Sequence, residues 1–286
     1  MAKIALTLEQ ALAQRASSGA AASQSARLLA QGDGWSVEDV VCTAGPRDRP
    51  FQERHSWYRI AIVLSGTFQY RSGLGRELLT PGSLLLGNPG QCFECGHEHG
   101  PGDRCLSFGY APDFFERLGA GMPGFRRLCL PPLRTLSAVV ARATATLEQP
   151  EALSLQLAIQ ALQAASDLSL QPNVAAPSAV ARVTRSVRLI DHDPSAELTL
   201  AVLAQEAGLS PYHFLRTFER LTGVTPHKYL QRARLRKAAV ALAQEPTRIL
   251  EVALDSGFGD ITAFNRAFRS EFGVSPRIYR AQTRTR

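Results

Sequence analysis

Hydrophobic and polar positions follow two different patterns along this 286-residue chain. Residues 35–111 form short runs rich in apolar and aromatic residues, separated by turns such as Pro-Gly at 81–82 and Asn-Pro-Gly at 88–90. Short, closely spaced strands with Gly and Pro turns are typical of a small β-sandwich or barrel. Residues 133–168 instead carry apolar residues at helical spacing, which predicts two helices after the β-rich segment.

The segments on either side of this region lack a clear period. Residues 1–34 are rich in Ala, Ser and Gln, and Ser-Ser-Gly at 17–19 interrupts their helical pattern, so we expect a weakly ordered arm. Residues 169–178 contain two prolines among small polar residues, which predicts a linker. The predicted organisation is an arm over 1–34, a first domain over 35–168, a linker over 169–178 and a helical domain over 179–286.

One pattern occurs twice in the helical domain, with an offset of 50 residues. Phe-Leu-Arg-Thr-Phe at 214–218, followed by Gly-Val-Thr-Pro, recurs as Phe-Asn-Arg-Ala-Phe at 264–268, followed by Gly-Val-Ser-Pro. Each copy follows a short apolar helix and a glycine, Gly208 or Gly257, which permits the left-handed conformation of a tight turn. Two helices joined in this way form the helix-turn-helix unit with which proteins read the major groove. The repeat therefore predicts two DNA-reading units.

Helical spacing divides the second helix of each unit into an inner and an outer face. The phenylalanines of each copy are four residues apart and share the inner face, which predicts that they form the core of each unit. The inner positions are Phe214 and Phe218 in the first unit and Phe264 and Phe268 in the second. The outer positions are Tyr212, Arg216, Glu219 and Arg220 in the first unit and Thr262, Asn265, Arg266 and Arg269 in the second.

A long apolar-striped helix from Pro226 to about Gln244 is predicted between the two units. A rigid connection fixes their separation and angle. Two units that read one face of DNA enter successive major-groove turns about 34 Å apart. We therefore expect a site of roughly 20 base pairs, with unlike halves because the outward residues of the two units differ.

The net charge of +7 is unevenly distributed. From Arg182 to the C-terminus there are 17 Lys and Arg residues against 10 Asp and Glu residues, so the whole excess lies in the segment with the repeat. A basic domain next to a neutral one indicates a polyanionic partner for the basic domain. The repeat and the charge together predict double-stranded DNA as that partner.

The segment from Leu200 through Tyr279 closely resembles the DNA-binding domain of AraC/XylS-type bacterial transcription regulators. Its second half carries the strongest signature, including Gly-Phe at 257–258, the repeat at 264–268 and Ser-Pro at 275–276. In this family an N-terminal cupin-like domain commonly binds an effector or mediates dimerisation, and activation of transcription is the commoner role. The resemblance implies base-reading positions at Tyr212, Leu215 and Arg216 in the first unit and at Thr262, Ala263, Asn265 and Arg266 in the second.

Two groups of these residues leave alternatives open. For Arg216 and Arg266 the alternative to a guanine contact is a surface ion pair with Glu219 or Asp260. Leu215 is apolar, so it is expected to touch a thymine methyl group and not to donate a hydrogen bond. Arg220, Arg232 and Arg269 are the expected contacts to DNA phosphates, and for Arg232 a solvated helix face is the open alternative.

Residues 35–111 are similar to the cupin jelly roll in their Pro-Gly-Ser and Asn-Pro-Gly turns. The expected fold class is two-domain α+β: a cupin-like β-barrel with two trailing helices, then an all-α domain with two helix-turn-helix units. The helices at 133–168 either cap the open face of the barrel or form the seam of a homodimer.

A group of potential metal ligands lies near the end of the β-rich segment. On an extended strand, Cys95, His97 and His99 face one way, with Cys92 nearby. Thiolate and imidazole together suit Zn²⁺ and softer transition metals. Three interpretations remain open: a transition-metal site, a thiol-based redox sensor, and buried cysteines or a polar lining of an effector pocket.

These observations predict a bacterial DNA-binding transcription regulator that performs no covalent chemistry. RNA polymerase is the expected protein partner, and a small molecule or metal is the expected effector. The alternatives are a metal-dependent cupin enzyme, or a thiol or metal sensor, with a DNA-targeting domain. No apolar run reaches the roughly 20 residues that span a bilayer, and no secretory pattern begins the chain, so we expect a cytoplasmic protein without a membrane partner.

Overall fold

The computed structural model describes residues 7–119, 124–145, 149–167, 175–244 and 246–284. The first half of the chain contains two β-sheets with flanking helices, and the second half is helical. Most of the linker expected over 169–178 lies outside the described residues. No helix among the described residues is long and apolar enough to cross a membrane.

The weakly ordered arm expected over residues 1–34 is wrong for residues 8–32, while residues 1–6 lie outside the described part. Helix α1 (Leu8–Ser18) begins at a capping box, in which the Thr7 side chain accepts a hydrogen bond from the Gln10 amide and the Gln10 side chain accepts one from the Thr7 amide. The Ser-Ser-Gly sequence ends this helix, with Gly19 at a φ of 64°. Strand β1 (Gln24–Gly32) then pairs with β2 (Trp35–Cys42) at the edge of a sheet. Most of its side chains are exposed, so the edge strand carries no clear hydrophobic alternation.

In the part of the chain that the structure describes, ten strands form two antiparallel sheets. The larger sheet has the order β1-β2-β9-β4-β7-β10 and the smaller has the order β3-β8-β5-β6. The described strands form no hydrogen-bonded ladder between the sheets, so the domain is a two-sheet sandwich and the expectation of a closed barrel is corrected. Their remaining bounds are β3 (Phe51–Arg54), β4 (Tyr58–Gly66), β5 (Phe68–Ser72), β6 (Gly75–Leu79), β7 (Leu84–Gly87), β8 (Cys92–Gly96), β9 (Asp103–Tyr110) and β10 (Cys129–Leu130).

The larger sheet lies between the smaller sheet and three helices, α2 (Pro112–Gly119), α3 (Arg134–Ala145) and α4 (Pro150–Asp167). Alternation along β4 separates two buried faces: Ile60 and Ile62 pack in the cluster with the helices, whereas Ala61 and Val63 pack between the sheets. The Tyr110 hydroxyl donates a 2.9 Å hydrogen bond to the Ser154 carbonyl and so ties β9 to α4. A strand buried on both faces reads as a continuous apolar run, which is how β4 appears in the sequence.

The helical domain contains two hydrophobic cores joined by one helix. The long helix α8 buries Tyr229 and Leu230 in the first core and Leu235 and Leu242 in the second. It therefore makes the two units parts of one rigid frame. The helices are α5 (Pro177–His192), α6 (Leu200–Ala207), α7 (Pro211–Thr222), α8 (Pro226–Gln244), α9 (Ile249–Asp255), α10 (Ile261–Phe272) and α11 (Pro276–Arg284).

The two halves of the structure are in direct contact. Helix α3 packs against α8 and α10, and Ala141 of α3 belongs to the second core of the helical domain. Leu78 of β6 belongs to its first core. Helices α3 and α4 correspond to the two helices expected to cap the barrel or to form a dimer seam. Helix α3 lies against the helical domain, whereas α4 has Leu155 and Ile159 exposed on its outer face.

Candidate nucleic-acid interface

The first helix-turn-helix unit consists of α6 and α7. Thr199 and Ser210 cap these helices through side-chain oxygens that accept hydrogen bonds from the amides of Val202 and His213. Gly208 has a φ of 62° and its amide donates to the carbonyls of the preceding turn, so the predicted left-handed glycine turn is confirmed. The caps and the turn fix the direction in which α7 leaves the core.

The outward face of α7 presents a paired aromatic and basic group. Tyr212 is 63% exposed, and Arg216 is exposed one turn later. The Arg216 Nη1 donates to the Tyr212 hydroxyl at 3.1 Å, and its guanidinium carbon lies 5.7 Å from the centre of the Tyr212 ring. This contact orients the guanidinium before any ligand arrives. Leu215 is half-buried between the outward face and the core.

The second unit consists of α9 and α10. The Asp260 carboxylate caps α10 by accepting a 2.7 Å hydrogen bond from the Ala263 amide. Gly257 has a φ of 86° in the turn, one residue beyond the Ser256 cap of α9. The outward residues Thr262, Asn265 and Arg266 are exposed, and Ala263 is half-buried.

The inner faces of the two units repeat the same aromatic geometry. The rings of Phe214 and Phe218 lie 5.4 Å apart, and those of Phe264 and Phe268 lie 5.5 Å apart. Edge contacts to Tyr229 at 5.6 Å and to Tyr279 at 5.4 Å complete each set. All four phenylalanines are fully buried, so the sequence repeat builds the frame and leaves the outward residues free to differ.

The expected phosphate contacts divide into two groups. Arg220 and Arg269 are exposed beside the outward faces of their units. Arg232 is not: it forms a 3.0 Å ion pair with Glu271 and donates to the Pro132 carbonyl of the first domain. Its side chain is 14% exposed, so the expectation that Arg232 contacts phosphate is wrong. The residue instead joins α8, α10 and the segment before α3.

Other basic side chains of α8 also have partners within the molecule. Arg234 donates to the carbonyls of Pro194 and Ala196 at 2.7 and 2.9 Å. Arg236 lies 3.9 Å from Asp191 and 5.8 Å from the centre of the Tyr229 ring. Part of the positive charge that the sequence assigned to this domain therefore holds the fold together, and the exposed charge is concentrated on α7, α10 and the helix ends.

Sequence reasoning missed the beginning of α11. Arg277 lies there and lines a cavity of about 680 Å³ together with Asn265, Arg266 and Arg269 of α10. The Ser275 hydroxyl accepts a hydrogen bond from the Ile278 amide at this helix start. A helix N-terminus next to basic side chains favours anions. The Ser-Pro pair at 275–276 is the sequence signal that could have located it.

The structure does not bring the four proposed metal ligands Cys92, Cys95, His97 and His99 together. Cys92 is exposed near the start of β8, and His97 is buried beyond its end, because the strand stops at Gly96 and the chain turns. Among the described residues, the group that could hold a metal ion is instead Cys42, His97 and Asp103. Burial raises the pKa of the Cys95 thiol well above its usual value, which disfavours the thiolate that a redox sensor needs.

A cavity of about 640 Å³ lies where the two halves meet. Its apolar lining includes Ile62 and Val140 from the first domain, and its polar lining includes Asp191, Arg236 and Lys237 from the helical domain. Burial raises the pKa of Asp191 to about 7, although the Arg236 charge and the Tyr229 hydroxyl oppose the shift. The volume falls in the range of small-molecule sites.

Comparison with known proteins gives matches to both halves of the chain. Residues 203–282 match a family described as a helix-turn-helix domain, and residues 42–172 match one described as an AraC-like ligand binding domain. The Tn10 TetD protein of Escherichia coli is 40% identical over 91 residues, which are 32% of this chain and 66% of that protein. The uncharacterized HTH-type transcriptional regulator YbfI of Bacillus subtilis is 26% identical over 221 residues, which are 72% of this chain and 78% of that protein.

Among solved structures, the DNA-binding domain of the global transcriptional factor AdpA, in complex with a target DNA, has 30% sequence identity and a TM-score of 0.36. The match covers 36% of this chain and 94% of that one. The match to TetD spans just under two thirds of that protein's length. The two family matches thus fall one in each half of the chain, at residues 42–172 and 203–282.

Proposed function

We propose that this chain, which belongs to the AraC/XylS family of transcriptional regulators, binds an asymmetric promoter site through α7 and α10. The observation that carries the proposal is the pair of outward faces on one rigid frame. Tyr212 and Arg216 are exposed on one face, and Asn265 and Arg266 on the other. Arg to guanine and Asn to adenine are common bidentate base contacts, so the two faces favour different sequences.

The proposed DNA contacts are of two kinds, contacts to base edges and contacts to phosphates. The residues proposed to contact base edges are Tyr212, Arg216, Asn265 and Arg266, with Leu215, Thr262 and Ala263 at the edges of the two faces. Arg220 and Arg269 position the units on the phosphates, and Arg277 adds a contact at the start of α11. Phosphate contacts supply affinity without sequence information, whereas base contacts supply specificity.

The proposed effector site is the cavity between the two halves. An apolar floor beside Arg236 and Lys237 suits a small molecule with an apolar body and an anionic group. A ligand there contacts both α8 and the first domain, so its binding depends on how the two halves are arranged. RNA polymerase is the proposed protein partner of the DNA-bound form, and activation is the proposed role.

A homodimer through α4 is also proposed. Leu155 and Ile159 are one helical turn apart and are 37% and 39% exposed. The expected dimer seam comprises residues 133–168. Helix α3 of this segment contacts the helical domain, whereas Leu155 and Ile159 of α4 remain exposed. A Leu155→Glu variant should shift a dimer toward the monomer in sedimentation velocity.

The direct test of the proposed function is selection of binding sites from random double-stranded DNA with the full chain. The expected result is one enriched motif with two unlike halves, protected on a single face of the duplex. Enrichment of a palindrome of one half, or of no motif above background, would contradict it.

A further inference from the structure

We propose that Cys42, His97, Asp103 and Cys105 form a binding site for Zn²⁺ inside the first domain. One potential ligand atom each of Cys42, His97 and Asp103 lies within 4.8 Å of the other two. Cys105 joins them, since its sulfur lies 3.2 Å from Asp103 Oδ2. The site differs from the one expected from the sequence in all its ligands except His97.

The topology explains why these residues meet. Cys42 at the end of β2 lies directly opposite Asp103 at the start of β9, so their side chains share one face of the larger sheet. Cys105 is two residues further along β9 and faces the same way. His97 follows β8 of the smaller sheet, so the histidine reaches the other three residues from across the sandwich. The site therefore joins the two sheets.

The donor set matches the chemistry of zinc. Thiolate, imidazole and carboxylate oxygen are its usual protein ligands, and four of them complete a tetrahedral structural site. Ligands of one zinc ion lie about 3 to 4 Å apart, which is close to the spacing of at most 4.8 Å among Cys42, His97 and Asp103. Cys42 and Asp103 are 3% and 5% exposed, so a divalent cation would offset the negative charge of the thiolate and carboxylate ligands that it gathers in the interior.

One atom in the cluster lacks a partner. The His97 ring nitrogen Nε2 lies 2.6 Å from Asp103 Oδ1, whereas Nδ1 is buried and has no hydrogen-bond partner. The side chain is 1% exposed, so Nδ1 is shielded from bulk water. Because the two ring nitrogens point to opposite sides of the ring, an ion bound by Asp103 would be bound by Nε2, and the two metal bonds would replace the present hydrogen bond.

The site also has a contact with the helical domain, and this part of the inference rests on the proposed function. The segment between His97 and Asp103 includes Pro101, whose carbonyl accepts a 3.4 Å hydrogen bond from Arg188 of α5. Zinc would fix both ends of this segment. We therefore expect zinc to change the affinity for DNA.

The test is a cobalt titration of the reduced, metal-free full chain, since Co²⁺ reports thiolate ligation directly. We expect thiolate-to-cobalt charge-transfer absorption that saturates at one ion per chain and disappears on addition of Zn²⁺. Cys42→Ser should lose the part of this absorption that the Cys42 thiolate contributes, whereas Cys92→Ser, which changes an exposed cysteine outside the site, should keep all of it. Absence of the absorption in the natural chain, or its loss in Cys92→Ser alone, would overturn the site.

A second measurement guards against misfolding of the variant. Zn²⁺ should raise the melting temperature of the natural chain and of Cys92→Ser, but not that of a Cys42→Ser chain that still melts cooperatively. Equal stabilisation of all three would contradict the assignment. Measuring the affinity for the selected DNA site with and without zinc separates the two parts of the inference. If cobalt binds but zinc does not change the affinity for DNA, the link through Arg188 is refuted and the metal site still stands.

Discussion

At the scale of the residue, arginine plays two opposite roles in the helical domain. Arg216 and Arg266 occupy equivalent outward positions, whereas Arg232 is held by Glu271 and the Pro132 carbonyl. The difference arises from what packs on each helix face. A guanidinium with internal partners stabilises the fold, and an exposed one is available to DNA.

Replacing Arg266 by alanine should lower the affinity for the selected site by about 1–3 kcal/mol and relax selectivity at one base pair, because a bidentate base contact is lost. Competition binding against single-base variants of the site measures both effects. An equal loss on random DNA would show a phosphate contact instead. Arg269→Ala is the matched control, expected to weaken binding to all sequences and to reduce the salt slope by about 1.

Arg232→Ala should behave differently from both. We expect a lower melting temperature, because Glu271 loses its cationic partner and the Pro132 carbonyl loses its donor. The salt slope of DNA binding should stay unchanged, since the Arg232 guanidinium is held by Glu271 and the Pro132 carbonyl. A reduced salt slope with unchanged stability would restore the phosphate role that the sequence pattern suggested.

Roles that depend on local spacing could be predicted from the sequence, and roles that depend on distant partners could not. Phe214, Phe218, Phe264 and Phe268 could be assigned to the core because helical spacing alone sets their common face. Arg232 could not be assigned, because its partners are 39 and 100 residues away in the chain. The proposed zinc ligands could not be predicted from the sequence for the same reason. Cys42 and Asp103 lie opposite each other through strand pairing, which no local sequence pattern reveals.

At the scale of the element, capping residues determine where the outward helices begin. The Asp260 carboxylate holds the Ala263 amide at 2.7 Å and lies at the positive end of α10. Asp260→Ala should therefore destabilise the chain by about 1 kcal/mol and increase fraying of the first turn of α10. Chemical denaturation and amide exchange measure the two effects. Thr262→Ala, an exposed change in the same turn, is the control, and an equal loss there would argue against capping.

Elements with strong local signals were predictable, and elements without them were not. The helices of the two units have N-cap residues, apolar spacing and left-handed glycines, all of which the sequence displays. Helix α1 is not evident from the sequence because Ser17 and Ser18, which suggest a break, form its final turn. Strand β1 was missed because an edge strand with exposed side chains has no apolar face to reveal it.

At the scale of the whole molecule, a half-buried carboxyl lines the contact between the two halves. Asp191 has a pKa of about 7 in the folded chain against an ordinary value of 3.8, with desolvation as the main cause. A raised folded pKa means that its stabilising contribution is full below about pH 4 and is lost as pH rises through about 7. The difference between the melting temperatures of the natural chain and of Asp191→Asn should therefore decrease as the pH is raised from about 4 to about 7.

Asp193 provides the matched control for this pH dependence. It is exposed, and a hydrogen bond from Ser195 lowers its pKa, so its contribution is present above about pH 4 and lost on acidification. The melting temperature of the natural chain minus that of Asp193→Asn should therefore not decrease as the pH is raised from 5 to 8. A flat difference for Asp191→Asn over the same range would contradict a carboxyl that is protonated in the folded chain.

The central claim is that α8 holds two different DNA-reading units at one fixed spacing. The most direct measurement is the affinity of the full chain for its selected site after insertion of base pairs between the two halves. Insertion of about 5 base pairs, half a helical turn, rotates one half to the opposite face of the duplex, and insertion of about 10 restores the face but adds about 34 Å. A rigid frame predicts loss of specific binding in both cases. Specific binding that survives either insertion would contradict the account.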